Sequence, residues 1–306
     1  MLRPMDWFYL ALLVPVIYAV INLIDDNLLQ FVYKNPFLAT AATGFFGAVP
    51  LISAFFIDSH PLPIKLAMLS AAAGFLTIAY YFFYFKGLAS DTPSVVVALF
   101  GLAPATIPFF AYFIVDEQLS ALQILGFIIV LSGSLGLAVT DVRRFKFSKA
   151  LFYMAIAVIF MDIVSIMTKY VYQRVDFYSA YLYFLVGMAT AGLIFLLLNL
   201  AQNKQVLREL ASSKSIKRLL PIIVFVELLG MSAEFLLNFA ISRGPVSLVK
   251  VIEGSQPMFV LLIALILYRF WPKYFREAEE GNLARKFAMM IIIVIGLGVI
   301  AQAAAA

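Results

Sequence analysis

Apolar stretches long enough to cross a bilayer follow one another along this chain with only short polar breaks between them. A helix needs about 20 apolar residues to cross roughly 30 Å of hydrocarbon. Backbone groups find no hydrogen-bond partners in that hydrocarbon, so a spanning segment has to be a helix or part of a closed barrel. We predict ten transmembrane helices, over residues 8–30, 36–57, 64–85, 93–114, 119–139, 150–171, 177–200, 220–241, 246–268 and 286–302.

Composition agrees with an all-α membrane protein. The 306 residues are 64% hydrophobic and 13% charged, whereas soluble domains are about 45–50% apolar and about 25% charged. The chain has no cysteine and one histidine, His60, so we expect neither a metal site nor a cofactor. We attribute the net charge of +5 to basic loops beside anionic lipid rather than to nucleic-acid binding.

The chain repeats itself. When GLASDTPSVVVALFGLAP (87–104) is laid over AISRGPVSLVKVIEGSQP (240–257), four positions match at a single offset. The matched pairs are Ser94 with Ser247, Val96 with Val249, Gly101 with Gly254, and Pro104 with Pro257. The starts of the two halves match at a second offset, which pairs Phe37 with Phe177 and Gly47 with Gly187. We therefore predict two repeats, 1–145 and 146–306.

Each predicted repeat holds five spans, and five is an odd number. The second copy must then enter the membrane from the side opposite to the first. The fold class we predict is two inverted five-helix repeats related by a pseudo-twofold axis in the membrane plane. Many secondary transporters are built in this way, with the substrate site near the midplane where the repeats meet.

These features carry a resemblance to a known family. Each half has a fourth helix of the form Ser-x-x-x-x-x-x-Gly-x-x-Pro and a glycine-rich fifth helix, LGFIIVLSGSLGL in the first half and IIIVIGLGVI in the second. The chain resembles the drug/metabolite transporter superfamily, and within it the EamA-like family. Glu117 fits the acidic position that follows the fourth helix in that family. The resemblance implies secondary transport of small organic solutes without ATP hydrolysis, often as metabolite export.

Charged residues inside the predicted spans identify the candidate site. A charge at the bilayer centre costs about 2.5–3.5 kcal/mol on insertion scales, so such residues usually serve a purpose. Helical spacing puts many of them on inward stripes of helices one, eight and nine. The candidate substrate-binding residues are Glu234, Asn238, Lys250, Glu253, Asp162, Asn22, Tyr81 and Tyr84. The candidate proton-coupling residues are Glu234, Glu253 and Asp26.

Structural explanations stay open for several of these residues. Lys250 and Lys169 could extend to the interface or pair with a glutamate that holds the helices in register. The helix-three tyrosines could belong to an interfacial aromatic belt. Gly254 and Pro257, with their first-half counterparts, are interpreted as packing and kink positions.

The predicted interior has more acidic than basic side chains. It contains two lysines, Lys169 and Lys250, and six carboxylates, which are Asp25, Asp26, Asp162, Glu227, Glu234 and Glu253. Burial and negative neighbours both favour the protonated form of a carboxyl group, so we expect at least one to carry a proton near neutral pH. No P-loop sequence is present to bind ATP. These residues predict proton-coupled exchange of a small cationic or zwitterionic solute, such as an amino acid or amine, and no enzymatic activity.

An alternative function on the same fold is a flippase for lipids or lipid-linked sugars. Polar stripes that open sideways toward lipid would favour this alternative.

We expect a small-molecule substrate and membrane lipid as partners, and we expect no nucleic acid. A homodimer stays open as the oligomeric state. The expected location is the inner membrane of a prokaryote. Loops after the odd-numbered helices carry sixteen basic residues against four on the other side. The positive-inside rule therefore puts both termini outside, whereas the family resemblance suggests cytoplasmic termini.

Overall fold

The computed structural model describes residues 6–29, 35–90, 96, 103–141, 149–202, 214–268 and 283–305, with the backbone alone for 26, 27, 138–141, 214–217, 268 and 283. Regular structure in these ranges is helical throughout. The α-helices are α1 (Asp6–Leu28), α2 (Pro36–Gly47), α3 (Ile64–Leu88), α4 (Ile107–Val115), α5 (Ala121–Asp141), α6 (Lys149–Tyr172), α7 (Phe177–Gln202), α8 (Lys214–Arg243), α9 (Val246–Glu253), α10 (Gln256–Tyr268) and α11 (Leu283–Ala305).

Eight stretches in the described residues are long and apolar enough to cross a membrane. They coincide with predicted helices one, two, three and six to ten, so the prediction of an all-helical membrane protein is confirmed. The fifth prediction corresponds to α5, whose apolar part, Ala121–Leu137, is shorter. The fourth predicted helix lies partly outside the described residues. Its last part forms a short 3₁₀ turn, Ala103–Ala105, followed by α4.

The ninth predicted span is interrupted between α9 and α10. Gly254 and Ser255 form a turn, and Pro257 then lies in the first turn of α10, where its missing N–H costs no helical hydrogen bond. The backbone N–H of Gly254 donates to the carbonyl oxygen of Lys250 at 2.9 Å. The Ser255 hydroxyl donates to the carbonyl oxygen of Ile252 at 2.6 Å. The break predicted at Gly254 and Pro257 is therefore present, and its polar groups are paired locally.

Glycines allow the closest helix contacts. A Cβ atom on Gly74 of α3 would lie 1.8 Å from the carbonyl oxygen of Phe184 on α7, and one on Gly187 of α7 would lie 1.8 Å from the carbonyl oxygen of Ala71. Helices in membranes associate largely through such small residues, because lipid tails remove the hydrophobic drive that operates in water. The α3–α7 pair therefore packs backbone against backbone.

The long helices surround a polar interior. α1 packs along α8, α3 along both α6 and α7, α2 along α7, and α5 along α11. Large apolar side chains such as Phe109, Phe152 and Ile291 lie on the outside, each more than half exposed at 64%, 64% and 60%. This apolar outer surface suits contact with hydrocarbon. The polar side chains lie on the inner faces of α1, α3, α8 and α9.

The α3–α7 contact provides a test of the fold. In Gly187→Ala the added methyl group meets a backbone carbonyl, so we expect the two helices to move apart and the free energy of unfolding to fall by about 1–3 kcal/mol. Gly298→Ala on α11 is the matched control, because nothing lies within 4 Å of a Cβ atom there. Thermal unfolding of purified protein measures both. Equal stability of the two variants would show that α3 and α7 are not packed in this way.

Candidate functional site

A central cavity lies among residues from both halves of the chain. Its volume is about 80 Å³, which is enough for several water molecules and is smaller than the roughly 300–1,000 Å³ typical of small-molecule sites. Helices α1, α2, α3, α6, α7, α8 and α9 all contribute to its wall. Its ionisable and amide lining residues, apart from tyrosines, are Asn22, Asp25, Glu227, Glu234, Lys250, Glu253 and Gln256.

Glu234 of α8 lines this cavity and is 5% exposed. Its carboxylate accepts a hydrogen bond from the Tyr18 hydroxyl of α1 at 3.2 Å and from the Asn238 amide at 2.8 Å. Asn238 accepts in turn from the Tyr172 hydroxyl at 2.8 Å. Asn238 is not among the residues that line the cavity. It therefore supports Glu234 from behind, whereas we predicted a direct substrate contact.

Lys250 and Glu253 form an ion pair on α9, three residues apart. Both line the central cavity, and they are only 1% and 8% exposed. Both also interact electrostatically with Glu234. A buried ion pair persists only where the two charges satisfy each other, because desolvating either one alone is expensive. Lys250 thus pairs within its own helix, immediately before the break at Gly254.

A second polar group lies further along α1. The Tyr84 hydroxyl is 2.7 Å from the Asn22 Oδ1 atom and 3.1 Å from the Asp25 Oδ2 atom. Asn22 is 6% exposed, and its Nδ2 atom has no hydrogen-bond partner among the described residues. Tyr81 also lines the cavity, with its hydroxyl 3.5 Å from that of Tyr18. The side chain of Asp26, a predicted proton-coupling residue, lies outside the described residues.

Asp162 does not line the central cavity. The Thr106 hydroxyl donates to its Oδ2 atom at 2.5 Å, and its Oδ1 atom has no partner in the described part of the chain. It borders a second space of about 380 Å³, which we call the lateral groove. The other residues that line this groove are Leu69, Phe110, Ile114, Ile163, Ile166, Met167 and Tyr170. Phe110, Ile114 and Ile163 are 44%, 46% and 42% exposed, so the groove lies on the outer, apolar surface.

Two further charged residues bind helix ends. The Lys169 ammonium group donates to the carbonyl oxygens of Ile241 and Gly244, at 2.9 and 2.7 Å, where α8 ends. The Glu117 carboxylate accepts from the backbone N–H groups of Val246 and Ser247, where α9 begins. Each charge suits the helix end it contacts, since a helix is negative at its C-terminus and positive at its N-terminus. Both residues therefore hold the α8–α9 connection.

The cavity is also lined by Tyr18, Tyr80 and Gln256, which are not among the candidate binding residues predicted from the sequence. Tyr18 could have been found, because it precedes Asn22 by one helical turn and Asp25 by two, so that all three share a stripe. In the described part of the chain no cluster of three or more histidines, cysteines, aspartates or glutamates could hold a metal ion. The cavity offers carboxylates, an ammonium group and tyrosine hydroxyls, which suit protons and polar organic groups.

The Lys250–Glu253 pair predicts a non-additive effect on stability. Lys250→Met leaves Glu253 buried without its cation and should cost about 3–5 kcal/mol, whereas Lys250→Met/Glu253→Gln removes both charges and should regain much of that loss. Lys65→Met, at an exposed position, is the control for losing a lysine. Thermal unfolding measures all three proteins, and a double variant no more stable than Lys250→Met would refute a mutually compensating pair.

Comparison with known proteins found a matching family model and solved structures with a similar fold. Residues 5–139 match the model of the EamA-like transporter family. A solved structure, titled only as the crystal structure of a protein, is similar over 97% of this chain and 94% of its own, with 18% identity and a TM-score of 0.68; this likeness concerns the fold alone. No curated protein matches the chain. Over residues 5–139 this match confirms the resemblance to the EamA-like family, and so to the drug/metabolite transporter superfamily, that the sequence carries.

Proposed function

We propose that this protein is a proton-coupled secondary transporter of a small cationic or zwitterionic organic solute, such as an amino acid or an amine. The observation that carries the proposal is the central cavity itself. Glu234 and Glu253 from the second half face the same space as Tyr18 and Asn22 from the first half. A site shared by two halves is what alternating access requires, because movement of one half against the other exposes the site to each face in turn.

The proposed architecture is ten transmembrane helices in two inverted repeats. In support, several helices pack against their own counterparts, as elements on a twofold axis do. α2 packs on α7, and α5 on α11, which are the second and fifth helices of each proposed repeat. At the fourth helices, a Cβ atom on Gly254 would lie 2.6 Å from the Cγ atom of Pro104, and Pro104 is the counterpart of Pro257.

The chemistry of the proposed cycle follows from burial. A carboxyl group without a nearby cation favours its protonated form in low-dielectric surroundings, and an arriving ammonium group favours the carboxylate. Glu234 and Glu253 would then hold either protons or the substrate amine, which couples the two fluxes. Lys250 would neutralise Glu253 or bind the carboxylate of a zwitterionic substrate. This role for the protein is transport, without a catalytic step.

The proposal predicts the behaviour of two substitutions in proteoliposomes. Glu234→Gln and Glu253→Gln should each abolish flux driven by a pH gradient, because glutamine cannot exchange a proton. Ser232→Ala, on the exposed face of α8, is the matched control and should transport like the unaltered protein. Substrate flux is screened with radiolabelled amino acids and amines at several pH values. Undiminished, pH-insensitive flux in both glutamine variants would exclude proton coupling through these residues.

A flippase for lipids or lipid-linked sugars is the second candidate function. The lateral groove favours it, since Asp162 lies at a space bordered by residues of the outer, apolar surface. The central cavity argues for a soluble substrate, because its polar lining is more extensive and comes from both halves. Flipping of fluorescent lipids in the same proteoliposomes separates the two candidates: transfer that Asp162→Asn abolishes and Glu234→Gln spares would favour the flippase.

We propose an inner-membrane location in a prokaryote with both termini outside, as the distribution of basic loops favours. The chain has no cysteine, so single cysteines report topology cleanly. Ser90 follows α3 and Ser120 precedes α5, and both are exposed. A membrane-impermeant maleimide added to whole spheroplasts should label Ser120→Cys and spare Ser90→Cys. The reverse pattern would reverse the orientation.

A further inference from the structure

The acidic groups of the central cavity lie at two levels. α1 and α8 run antiparallel side by side, since Gly244 approaches Trp7 near one end, whereas Gly230 approaches Ile21 further along. The hydrogen bond from Tyr18 to Glu234 fixes the register between these two contacts. We call this the inner level, and the Lys250–Glu253 pair interacts electrostatically with Glu234 there.

A second level, which we call the outer level, lies seven residues away along both helices. Asp25 lies seven residues after Tyr18 on α1, and Glu227 lies seven residues before Glu234 on α8. Seven residues of α-helix rise about 10 Å. Because the helices are antiparallel, both steps lead in the same direction and end at the same level. Asp25 and Glu227 both line the cavity, so it has acidic groups about 10 Å apart.

The wall between the levels is aromatic and apolar. Tyr80, Tyr81 and Phe85 of α3 line the cavity together with Ile21 and Val226. The rings of Tyr80 and Tyr81 are stacked, with centroids 4.3 Å apart. Such a wall accommodates a methylene chain, and aromatic faces attract the ammonium groups at its ends.

Asp25 can accept a further hydrogen bond at the outer level. The Tyr84 hydroxyl lies 2.7 Å from the Asn22 Oδ1 atom and 3.1 Å from the Asp25 Oδ2 atom, and its one proton goes to only one of them at a time. Asp25 lines the cavity, so its carboxylate is suited to accept a hydrogen bond from an ammonium group.

We infer that the preferred substrate is an elongated dication, of the α,ω-diamine or polyamine class, with one ammonium group at each level. This inference rests on the proposed transport function and specifies its substrate. In the described part of the chain, four carboxylates and one lysine line the cavity, and the lysine is paired with Glu253. Glu234 at the inner level and Asp25 at the outer level accept hydrogen bonds from tyrosine hydroxyls. Each of these two carboxylates can therefore face one ammonium group while the chain between them crosses the aromatic wall.

A homologous series of amines tests this inference on purified protein in phosphatidylcholine nanodiscs. The probes are linear α,ω-diamines of four, six, eight, ten and twelve carbons, with octylamine as the monocation. We expect affinity to peak near 1,8-diaminooctane, whose extended length best matches the spacing of the levels, and to exceed that of octylamine by about tenfold or more. Affinity that rises steadily with chain length, equally for diamines and monoamines, would overturn the inference.

Variants at the outer level sharpen the test. Asp25→Asn should reduce 1,8-diaminooctane binding to the level of octylamine and leave octylamine binding unchanged, and Glu227→Gln provides a second variant if the first is unstable. Ser232→Ala should alter neither. Unchanged diamine binding in a folded Asp25→Asn protein would contradict the two-level arrangement. This failure is distinct from failure of the transport proposal, which would appear as pH-insensitive flux in the Glu234→Gln and Glu253→Gln proteins.

Discussion

The high cost of an unpaired charge in hydrocarbon is the constraint on which the rest of this structure depends. Within the described residues, charged groups of the apolar helices are stabilised in several ways. Lys250 and Glu253 neutralise each other, Lys169 and Glu117 bind helix ends, and Glu234 accepts hydrogen bonds from neutral side chains. In this described part of the chain Glu234 lines the central cavity without a cation of its own, and this is why it has the central place in the proposed cycle.

Hydropathy predicted most of the membrane spans. Helical spacing predicted the inward stripes that carry Glu234 on one helix and Lys250 and Glu253 on the next. Spacing fixes which residues share a face, but it does not fix which neighbour that face meets. Asn238 shares the stripe of Glu234 and yet lies behind it, and Asp162 borders the lateral groove instead of the central cavity. Both outcomes depend on how the packed helices are rotated about their axes, which the spacing of residues within one helix does not specify.

The break after α9 links the fold to the site. It follows Glu253 directly, so the ion pair sits at a helix end. Broken helices near the midplane are a feature of transporter sites, where interrupted backbone lines a cavity. The opposite end of α9 is held by Glu117 from the first half of the chain. Movement of α9 relative to the first half would therefore affect the Lys250–Glu253 pair and the Glu117 contacts together.

The central claim is that one shared cavity becomes accessible from either face of the membrane. Met231 lines the cavity and the chain has no native cysteine, so Met231→Cys can be labelled with an impermeant thiol reagent applied to right-side-out or to inverted vesicles. Alternating access predicts labelling from both faces, slowed in both cases by a bound amine. Labelling from one face alone under every pH gradient and substrate condition would contradict the account.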